Sequence, residues 1–236
     1  MVLTTKNLTK KYGSFTLNKI NLELKEKMLF GCLGPNGAGK STLVKLLTGQ
    51  IIPTKGDINV LDVDVIKNPV LAKSKIGIIP EQESPPSFLT VKEYLEFICK
   101  VRKIKAPKKE ISYWLKFFDF KKELNSLIKD LSRGTKQKVV ATQAFIHQPK
   151  LVFIDEPLIN LDPLIQKKFK EFLVSYVKKG NTVFLSTHVL SIADEICTDI
   201  CILKNGEVIL QESMVNVRKK KKKLENYFIG VVENEN

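Results

Sequence analysis

The glycine-rich segment "GPNGAGKST" at residues 34–42 has the types and spacing needed to bind phosphate. It fits the pattern G-x-x-x-x-G-K-[ST], in which glycines let the backbone turn its N–H groups towards phosphate oxygens. Lys40 can reach the β- and γ-phosphates, and Ser41 can offer its hydroxyl to Mg²⁺. A glycine turn without a ligand is the alternative, and the Lys-Ser pair argues against it. The candidate nucleotide-binding residues of this loop are Gly34, Asn36, Gly37, Gly39, Lys40, Ser41 and Thr42.

An acidic pair in "LVFIDEP" complements the loop. Four apolar residues place Asp155 at the end of a buried strand, where ligands bind in open α/β sheets. Because Mg²⁺ usually takes a carboxylate from a neighbouring strand, Asp155 and Ser41 are the predicted metal ligands. Glu156 is predicted to orient or deprotonate a water molecule for in-line attack. Lys40 is also a predicted catalytic residue. The alternative is that both acids cap a helix.

Several apolar segments must position these residues. "MLFGCL" predicts a buried strand that leads into the loop, and "STLVKLLTG" has the spacing of a helix that stops at Gly49. Short apolar strands then alternate with helical stretches in "LVFID", "TVFLST" and "ICIL", a pattern typical of a largely parallel sheet with crossover helices. The pair Asn205-Gly206 predicts a closing hairpin. The fold class is therefore α/β.

Two further regions flank this core. "VLTTKNLTKKYG" and "FTLNKINLEL" alternate as strands of a partly exposed antiparallel sheet, and residues 81–148 have helical periodicity. We predict a core lobe of residues 1–80 and 149–217, a helical lobe of about 81–148, and a basic linker and tail at 218–236. Helical stripes predicted to be core comprise Tyr94, Leu95, Ile98 and Val101, then Ile111, Trp114, Leu115 and Phe118.

The segment "LSRGTKQK" at residues 131–138 lies upstream of the acidic pair and narrows the choice of family. It resembles the Leu-Ser-Gly-Gly-Gln signature of ATP-binding cassette (ABC) proteins. Ser132 and Gly134 match, and a serine hydroxyl and a glycine N–H at a helix N-terminus can bind a γ-phosphate. Arg133 and Thr135 depart from the commonest form and resemble a looser version in exporter-type cassettes.

The resemblance assigns roles to further residues. Tyr12 resembles the cassette aromatic that stacks on adenine, although local strand packing would also explain it. "IGIIPEQES" resembles the glutamine-bearing loop between the lobes, with Glu81 at the glutamine position and Gln82 as the alternative. Asp162 resembles the segment that crosses to a partner cassette. His188 resembles the switch histidine that contacts the γ-phosphate.

Two positions depart from the family pattern, and one further histidine lies outside these motifs. Lys27 and Asp62 occupy turns where the family often has glycine, so a small backbone cost is expected. His147 is interpreted as a surface or helix-end residue.

The resemblance implies a P-loop NTPase core with an antiparallel part and an inserted helical subdomain. It also implies a second copy, or a related cassette, that binds two ATP molecules head to tail with this one, and a separate transmembrane permease. "LENYFIG" and "IGIIPE" favour an exporter. The alternatives are a ribosome-associated or iron–sulfur assembly ATPase that drives no transport, and a nucleotide-binding scaffold without turnover. The presence of Glu156 and His188 argues against the scaffold.

Composition is compatible with these expectations. The 236 residues are 43% hydrophobic, contain no apolar run long enough to span a bilayer, and lack an N-terminal signal core. We predict a cytoplasmic protein, peripheral on the inner face of the membrane. The net charge of +14 is spread along the chain, so no specific nucleic acid is expected. The basic run at 218–223 is a flexible linker or an attraction to anionic lipid, and the four cysteines are expected to be buried thiols.

Overall fold

A computed structural model describes residues 1–82, 85–156, 161–220 and 224–233. Its strands form two sheets, one antiparallel and one mostly parallel. The strands are β1 (Leu3–Tyr12), β2 (Phe15–Ile20), β3 (Glu23–Leu24), β4 (Leu29–Leu33), β5 (Lys55–Val60), β6 (Val63–Asp64), β7 (Ile76–Ile79), β8 (Leu151–Asp155), β9 (Thr182–Thr187), β10 (Asp199–Lys204) and β11 (Glu207–Ser213).

The helices surround these sheets. They are α1 (Lys40–Leu47), α2 (Pro69–Lys75), α3 (Val91–Val101), α4 (Pro107–Phe117), α5 (Arg133–Phe145), α6 (Pro163–Lys178), α7 (Leu190–Ile196), α8 (Met214–Lys219) and α9 (Leu224–Glu233). Short 3₁₀ turns cover Lys121–Glu123 and Ile128–Asp130.

The larger sheet has the order β11-β10-β4-β9-β8-β7, and every neighbouring pair is parallel except β10 with β11. Strands β4, β8 and β9 are buried along their whole length, which explains their continuous apolar sequences. Their parallel direction brings their carboxyl ends to one edge, and the glycine loop, Asp155 and His188 follow there.

The smaller sheet has the order β2-β1-β5-β6, with β3 also paired to β1, and is antiparallel as the alternating sequence predicted. The hairpin between β10 and β11 forms at Asn205 and Gly206, with φ of 49° and 82°. Lys27 and Asp62 adopt left-handed φ of 62° and 63°, as the expected preference for glycine implied.

Helices α3, α4 and α5 occupy the region in which the sequence predicted a helical lobe. Helix α3 begins with a capping box, in which the Thr90 hydroxyl accepts from Glu93 N–H and the Glu93 carboxylate accepts from Thr90 N–H. The ring of Trp114 lies 5.3–5.8 Å from the rings of Phe117, Phe118, Phe145 and Phe172. This aromatic cluster joins α4 and α5 to α6.

The two predicted core stripes are buried or half-buried except at one residue. Val101 is 60% exposed, so its assignment to the core was wrong. It is the last residue of α3, where the packing partners no longer cover the helix, and Cys99 is buried instead.

The basic run and tail have structure where they are described. The Arg218 guanidinium donates to the Asp194 carbonyl oxygen, and the Lys220 ammonium donates to the Glu212 carboxylate at 3.0 Å. Helix α9 follows and is anchored by buried Leu224. Residues 221–223 of the run lie outside the described residues. The lobe and tail boundaries stay predictions.

All four cysteines are buried and free, as expected. In the part of the chain that the structure describes, no helix combines the length and apolar character that a bilayer span requires.

Candidate nucleotide-binding site

The loop between β4 and α1 depends on its glycines. Gly37 and Gly39 have φ of 81° and 107°, which side chains rarely adopt. A Cβ on Gly34 would lie 2.3 Å from the Leu203 carbonyl oxygen, and one on Gly39 would lie 2.8 Å from the Phe15 ring. The sequence folds here into a tight turn that leaves its backbone free to approach a ligand.

Lys40 is the first residue of α1 and is only 7% exposed. Its ammonium donates to the carbonyl oxygens of Gly34 at 2.8 Å and Pro35 at 3.1 Å, so the charge is held inside the loop. No acidic residue lies in the first turn of α1. The helix N-terminus and the ammonium therefore form a positive region suited to phosphates.

A cleft of about 960 Å³ joins the loop to the edge of the parallel sheet. It brings together most of the residues predicted from the sequence: Asn36, Gly37, Gly39, Lys40, Ser41, Thr42, Glu81, Gln82, Glu156 and His188. Phe15, Arg133 and Lys136 also line it, although they were not among the site residues predicted from the sequence. Phe15 pairs with Tyr12 across the β1–β2 hairpin, so the prediction that Tyr12 contacts the nucleotide could have been extended to Phe15.

Asp155 ends β8 and is 3% exposed. Burial raises the pKa of its carboxyl group, and the carboxylates of Glu81 and Glu156 add to the rise. Its Oδ1 atom is buried and makes no hydrogen bond to any described group. Ser41 lines an adjoining cavity of about 470 Å³ with Asp155 and Glu81, and its hydroxyl lies 3.3 Å from Glu81 Oε2. These oxygen atoms fit Mg²⁺, a hard cation that prefers oxygen ligands.

Glu156 is held differently from its neighbour. It has a left-handed φ of 49°, and its N–H donates to the Ser186 carbonyl oxygen at 3.0 Å. Oε1 accepts from the His188 N–H at 2.9 Å and lies 2.7 Å from His188 Nδ1, while Oε2 accepts from the Thr187 hydroxyl at 3.1 Å. Thr187, which was not among the site residues predicted from the sequence, thus helps to orient the candidate base.

Ser132 and Gly134 lie at the start of α5, outside the set that lines the cleft. Ser132 is the N-cap, and its hydroxyl oxygen accepts from Thr135 N–H at 3.2 Å. Its side chain is exposed, as the N-terminal turn of α5 is only partly covered by the rest of this chain.

Tyr12 and Asp162 are also outside the cleft lining. Tyr12 is 45% exposed at the end of β1, with the Lys10 ammonium 5.0 Å from its ring centroid. Asp162 is the N-cap of α6 and accepts from Ile165 N–H at 3.0 Å. Its neighbour Asn160 in the "NLD" segment lies outside the described residues.

His147 follows α5, as the helix-end interpretation expected, but it is partly buried. Its Nε2 lies 3.1 Å from the Ile76 carbonyl oxygen. Burial, with the nearby Arg102 guanidinium, lowers the pKa of this histidine to about 4. The imidazole is therefore neutral near pH 7 and contacts the backbone of β7.

The fold and the loop together define a P-loop nucleotide-binding protein of the α/β class. The family described as ABC transporter matches residues 17–159. This chain belongs to that family, and it is an ATP-binding cassette with ATPase activity.

Several relatives are similar over most of this chain. The bacitracin transport ATP-binding protein BcrA of Enterococcus faecalis is 32% identical over 97% of this chain and 75% of its own length. The Nod factor export ATP-binding protein I of Rhizobium meliloti (strain 1021) is 33% identical over 87% of this chain and 62% of its own.

Solved structures give the same result. A structure of an ATP-binding subunit of an ABC transporter has a TM-score of 0.92 at 27% identity, covering 98% of this chain and all (100%) of that one. The dimeric ATP-binding cassette MJ0796, bound to ADP and Pi after hydrolysis, has a TM-score of 0.82 at 26% identity over 90% of this chain and 98% of that one. The predicted fold class, family and ATPase activity are confirmed. The roles of individual residues stay predictions.

Proposed function

We propose that this cassette powers an exporter by hydrolysing ATP at sites shared between two copies of the chain. One observation carries the shared site: Ser132 is exposed and outside the lining of the cleft that the loop and Glu156 form, although its neighbour Arg133 reaches that cleft. A second copy, oriented head to tail, would place its own Ser132 against the γ-phosphate bound by Lys40. The dimeric state of the similar cassette MJ0796 supports this arrangement.

The loop residues would bind the phosphates of ATP. Backbone N–H groups between Gly34 and Thr42 and the Lys40 ammonium would neutralise the negative oxygens. Tyr12, on the hairpin beside the cleft, would stack on the adenine ring. Ser41 and Asp155 would hold Mg²⁺. When bound, this cation neutralises charge that develops on the phosphate oxygens.

Glu156 would act as the general base. Its carboxylate would take a proton from a water molecule whose oxygen attacks the γ-phosphorus, as the bond to the β,γ-bridging oxygen breaks. His188 and Thr187 fix both carboxylate oxygens, which limits the directions in which this base can point. His188, at the edge of the same cleft, would also contact the γ-phosphate.

Transport would require a membrane-spanning permease, because the described part of this chain contains no helix that could span a bilayer. The bacitracin transport and Nod factor export relatives support an exporter, with this chain at the inner face of the membrane. Hydrolysis would release the ATP-bound dimer, and this two-state cycle would drive the permease.

The variant Glu156→Gln tests the shared site. It keeps a hydrogen-bond acceptor for His188 but removes the base, so we expect hydrolysis to fall at least ~100-fold and an ATP-bound dimer to accumulate. Light scattering after size-exclusion chromatography with ATP and Mg²⁺ measures the dimer. Glu26→Gln, an exposed turn residue before β4, is the matched control.

A Glu156→Gln chain that stays monomeric with ATP, or that hydrolyses ATP at the wild-type rate, would contradict the proposal. Export itself is tested by co-purification of this chain from membranes with a protein that has several apolar spans. Recovery of the cassette without such a partner would argue against a transporter subunit.

A further inference from the structure

Helix α5 presents two basic side chains, those of Arg133 and Lys136, to the nucleotide cleft of its own chain. We propose that Arg133, assisted by Lys136, binds phosphate oxygens of the nucleotide held in the same chain. The start of α5 then serves two sites, since Ser132 is left to contact the nucleotide of a second copy. The inference rests on the proposed function of the cleft and adds a binding residue to it.

The placement of the two basic residues follows from the helix. Arg133 is the first residue of α5 and Lys136 comes three residues later, a spacing that puts both side chains on one face of a helix. Both line the cleft of about 960 Å³ together with Lys40 of the glycine loop. Phosphates bound by the loop would therefore be approached by basic groups from a second element of the same chain.

The charges of the cleft leave Arg133 without an acidic partner. The charged side chains that line it are those of Lys40, Arg133, Lys136, Glu81 and Glu156, with His188 as a further titratable group. Among the described residues, neither Arg133 nor Lys136 forms an ion pair. The carboxylate oxygens of Glu156 are instead hydrogen-bonded to His188 and Thr187. A guanidinium that faces a cleft in this way can bind phosphate oxygens with its planar set of donors.

The stability of α5 does not explain a cation at its first position. A helix N-terminus carries partial positive charge, which opposes the charge of Arg133, and the first turn of α5 contains no acidic residue to offset it. Nor does the guanidinium cap the helix, because it has only donors and the unpaired groups there are N–H donors. Ser132 supplies the cap by accepting from Thr135 N–H. A bound phosphate would offset the repulsion that the helix leaves in place.

Adjacent residues at this helix start differ in what they reach. Ser132 is exposed and outside the lining of the cleft, whereas Arg133 lines it. The Lys136 ammonium already donates to the Lys129 carbonyl oxygen at 3.2 Å, so its contribution to phosphate binding is expected to be smaller than that of Arg133. One helix start therefore has groups for the phosphates of its own chain and a separate group for those of a second copy.

Nucleotide binding by the single chain tests the contact. A non-hydrolysable fluorescent ATP analogue is titrated with Mg²⁺ into the full chain, at protein concentrations at which light scattering shows a monomer. We expect Arg133→Gln to raise the Kd about tenfold, because a charge-assisted hydrogen bond to phosphate is lost. Arg133→Lys keeps the charge but not the planar donors, and Lys136→Gln removes the weaker contact, so each is expected to raise the Kd about threefold.

Arg218→Gln is the matched control. It removes the same group from an exposed position on α8 outside the cleft lining, and we expect it to change the Kd less than about twofold. Far-ultraviolet circular dichroism verifies that each variant is folded. The inference is overturned if Arg133→Gln binds the analogue like wild type, or if Arg218→Gln loses as much affinity.

Mixed dimers distinguish a contact within one chain from a contact between chains. Equal amounts of Lys40→Ala and Arg133→Gln chains are mixed, and hydrolysis is measured at an ATP concentration below the KM. If Arg133 acts in its own chain, both sites of a mixed dimer carry one defect, and the rate should equal the average of the separate variants. If Arg133 acts only on the second copy, one site is intact, and a rate of about a quarter of wild type overturns the inference.

The outcomes separate this inference from the proposed function. An unchanged Kd for Arg133→Gln, in a protein whose Glu156→Gln variant forms the ATP-dependent dimer, overturns only the role of Arg133. A lowered affinity of Arg133→Gln in a chain that never dimerises supports the contact and contradicts the shared site. A wild-type chain that does not bind the analogue overturns both.

Discussion

Helices α1 and α5 both begin with residues suited to an anion, but these residues are buried at α1 and exposed at α5. At α1, Lys40 is buried and held in the glycine loop by two carbonyl oxygens. At α5, Ser132 is exposed and its hydroxyl oxygen caps its own helix by accepting from Thr135 N–H. Helix N-termini carry the same partial positive charge in both places.

The two helix starts differ in how much of a binding site the same chain supplies around them. The start of α1 has its cleft, its candidate metal ligands and its candidate base within one chain. At the start of α5, Arg133 and Lys136 line the cleft that contains Lys40, but the exposed Ser132 is outside its lining. A chain with one complete half-site and one exposed half-site is suited to pairing with a second copy.

Lys40→Ala should have the largest effect, which we expect on ATP binding at the half-site that contains the start of α1. The ammonium is the strongest positive charge in the loop, so its removal is expected to weaken ATP binding about 10- to 100-fold. Equilibrium binding of a fluorescent ATP analogue measures the change. Lys116→Ala, at an exposed position on α4 that lines neither the cleft nor the adjoining cavity, is the control. If wild type and Lys40→Ala bind ATP with equal affinity, the start of α1 is not the phosphate-binding half-site.

Ser132→Ala should impair the half-site at the start of α5, and therefore hydrolysis, without changing ATP binding by the single chain. We expect hydrolysis to fall about tenfold, since one hydrogen bond to the γ-phosphate is lost. Ser213→Ala is the matched control, because Ser213 caps α8 in the same way, with its hydroxyl oxygen accepting from Asn216 N–H. Each variant is expected to lose about 1 kcal/mol of stability, but only Ser132→Ala should lose activity.

Mixing the two variants sharpens the same comparison. A dimer of one Lys40→Ala chain and one Ser132→Ala chain has one site with both defects and one intact site. If the sites act independently, an equal mixture should recover about a quarter of the wild-type rate, because half of randomly formed dimers are mixed. Activity no higher than the average of the separate variants would argue against sites shared between chains.

Tyr12→Ala should have the smallest effect. Aromatic stacking contributes little, so a loss of about 2- to 10-fold in ATP affinity is expected. Tyr113→Ala, at another half-exposed tyrosine, is the control. Phe15→Ala is the informative comparison, because Phe15 lines the cleft and Tyr12 does not. If Phe15→Ala lowers the ATP affinity and Tyr12→Ala does not, the residue that stacks on adenine is Phe15 rather than Tyr12.

Much of the fold was predictable because its signals are local. Continuous apolar runs predicted the buried parallel strands β4, β8 and β9, and alternation predicted the antiparallel sheet. Val101 shows the limit of such patterns, since helical spacing placed it in the core and the structure leaves it exposed. Spacing defines a face of a helix but not how far a neighbouring element covers it.

The sequence by itself determined the chemical groups: the glycine loop, the Lys-Ser pair, the acidic pair and the family signature. These motifs are readable because each depends on residues close together in the chain. Only the tertiary structure decided that Phe15 contacts the loop, that Thr187 holds Glu156, and that Glu81 meets Ser41. Those contacts join residues 24 to 40 positions apart, brought together by strand pairing and packing that no local pattern encodes.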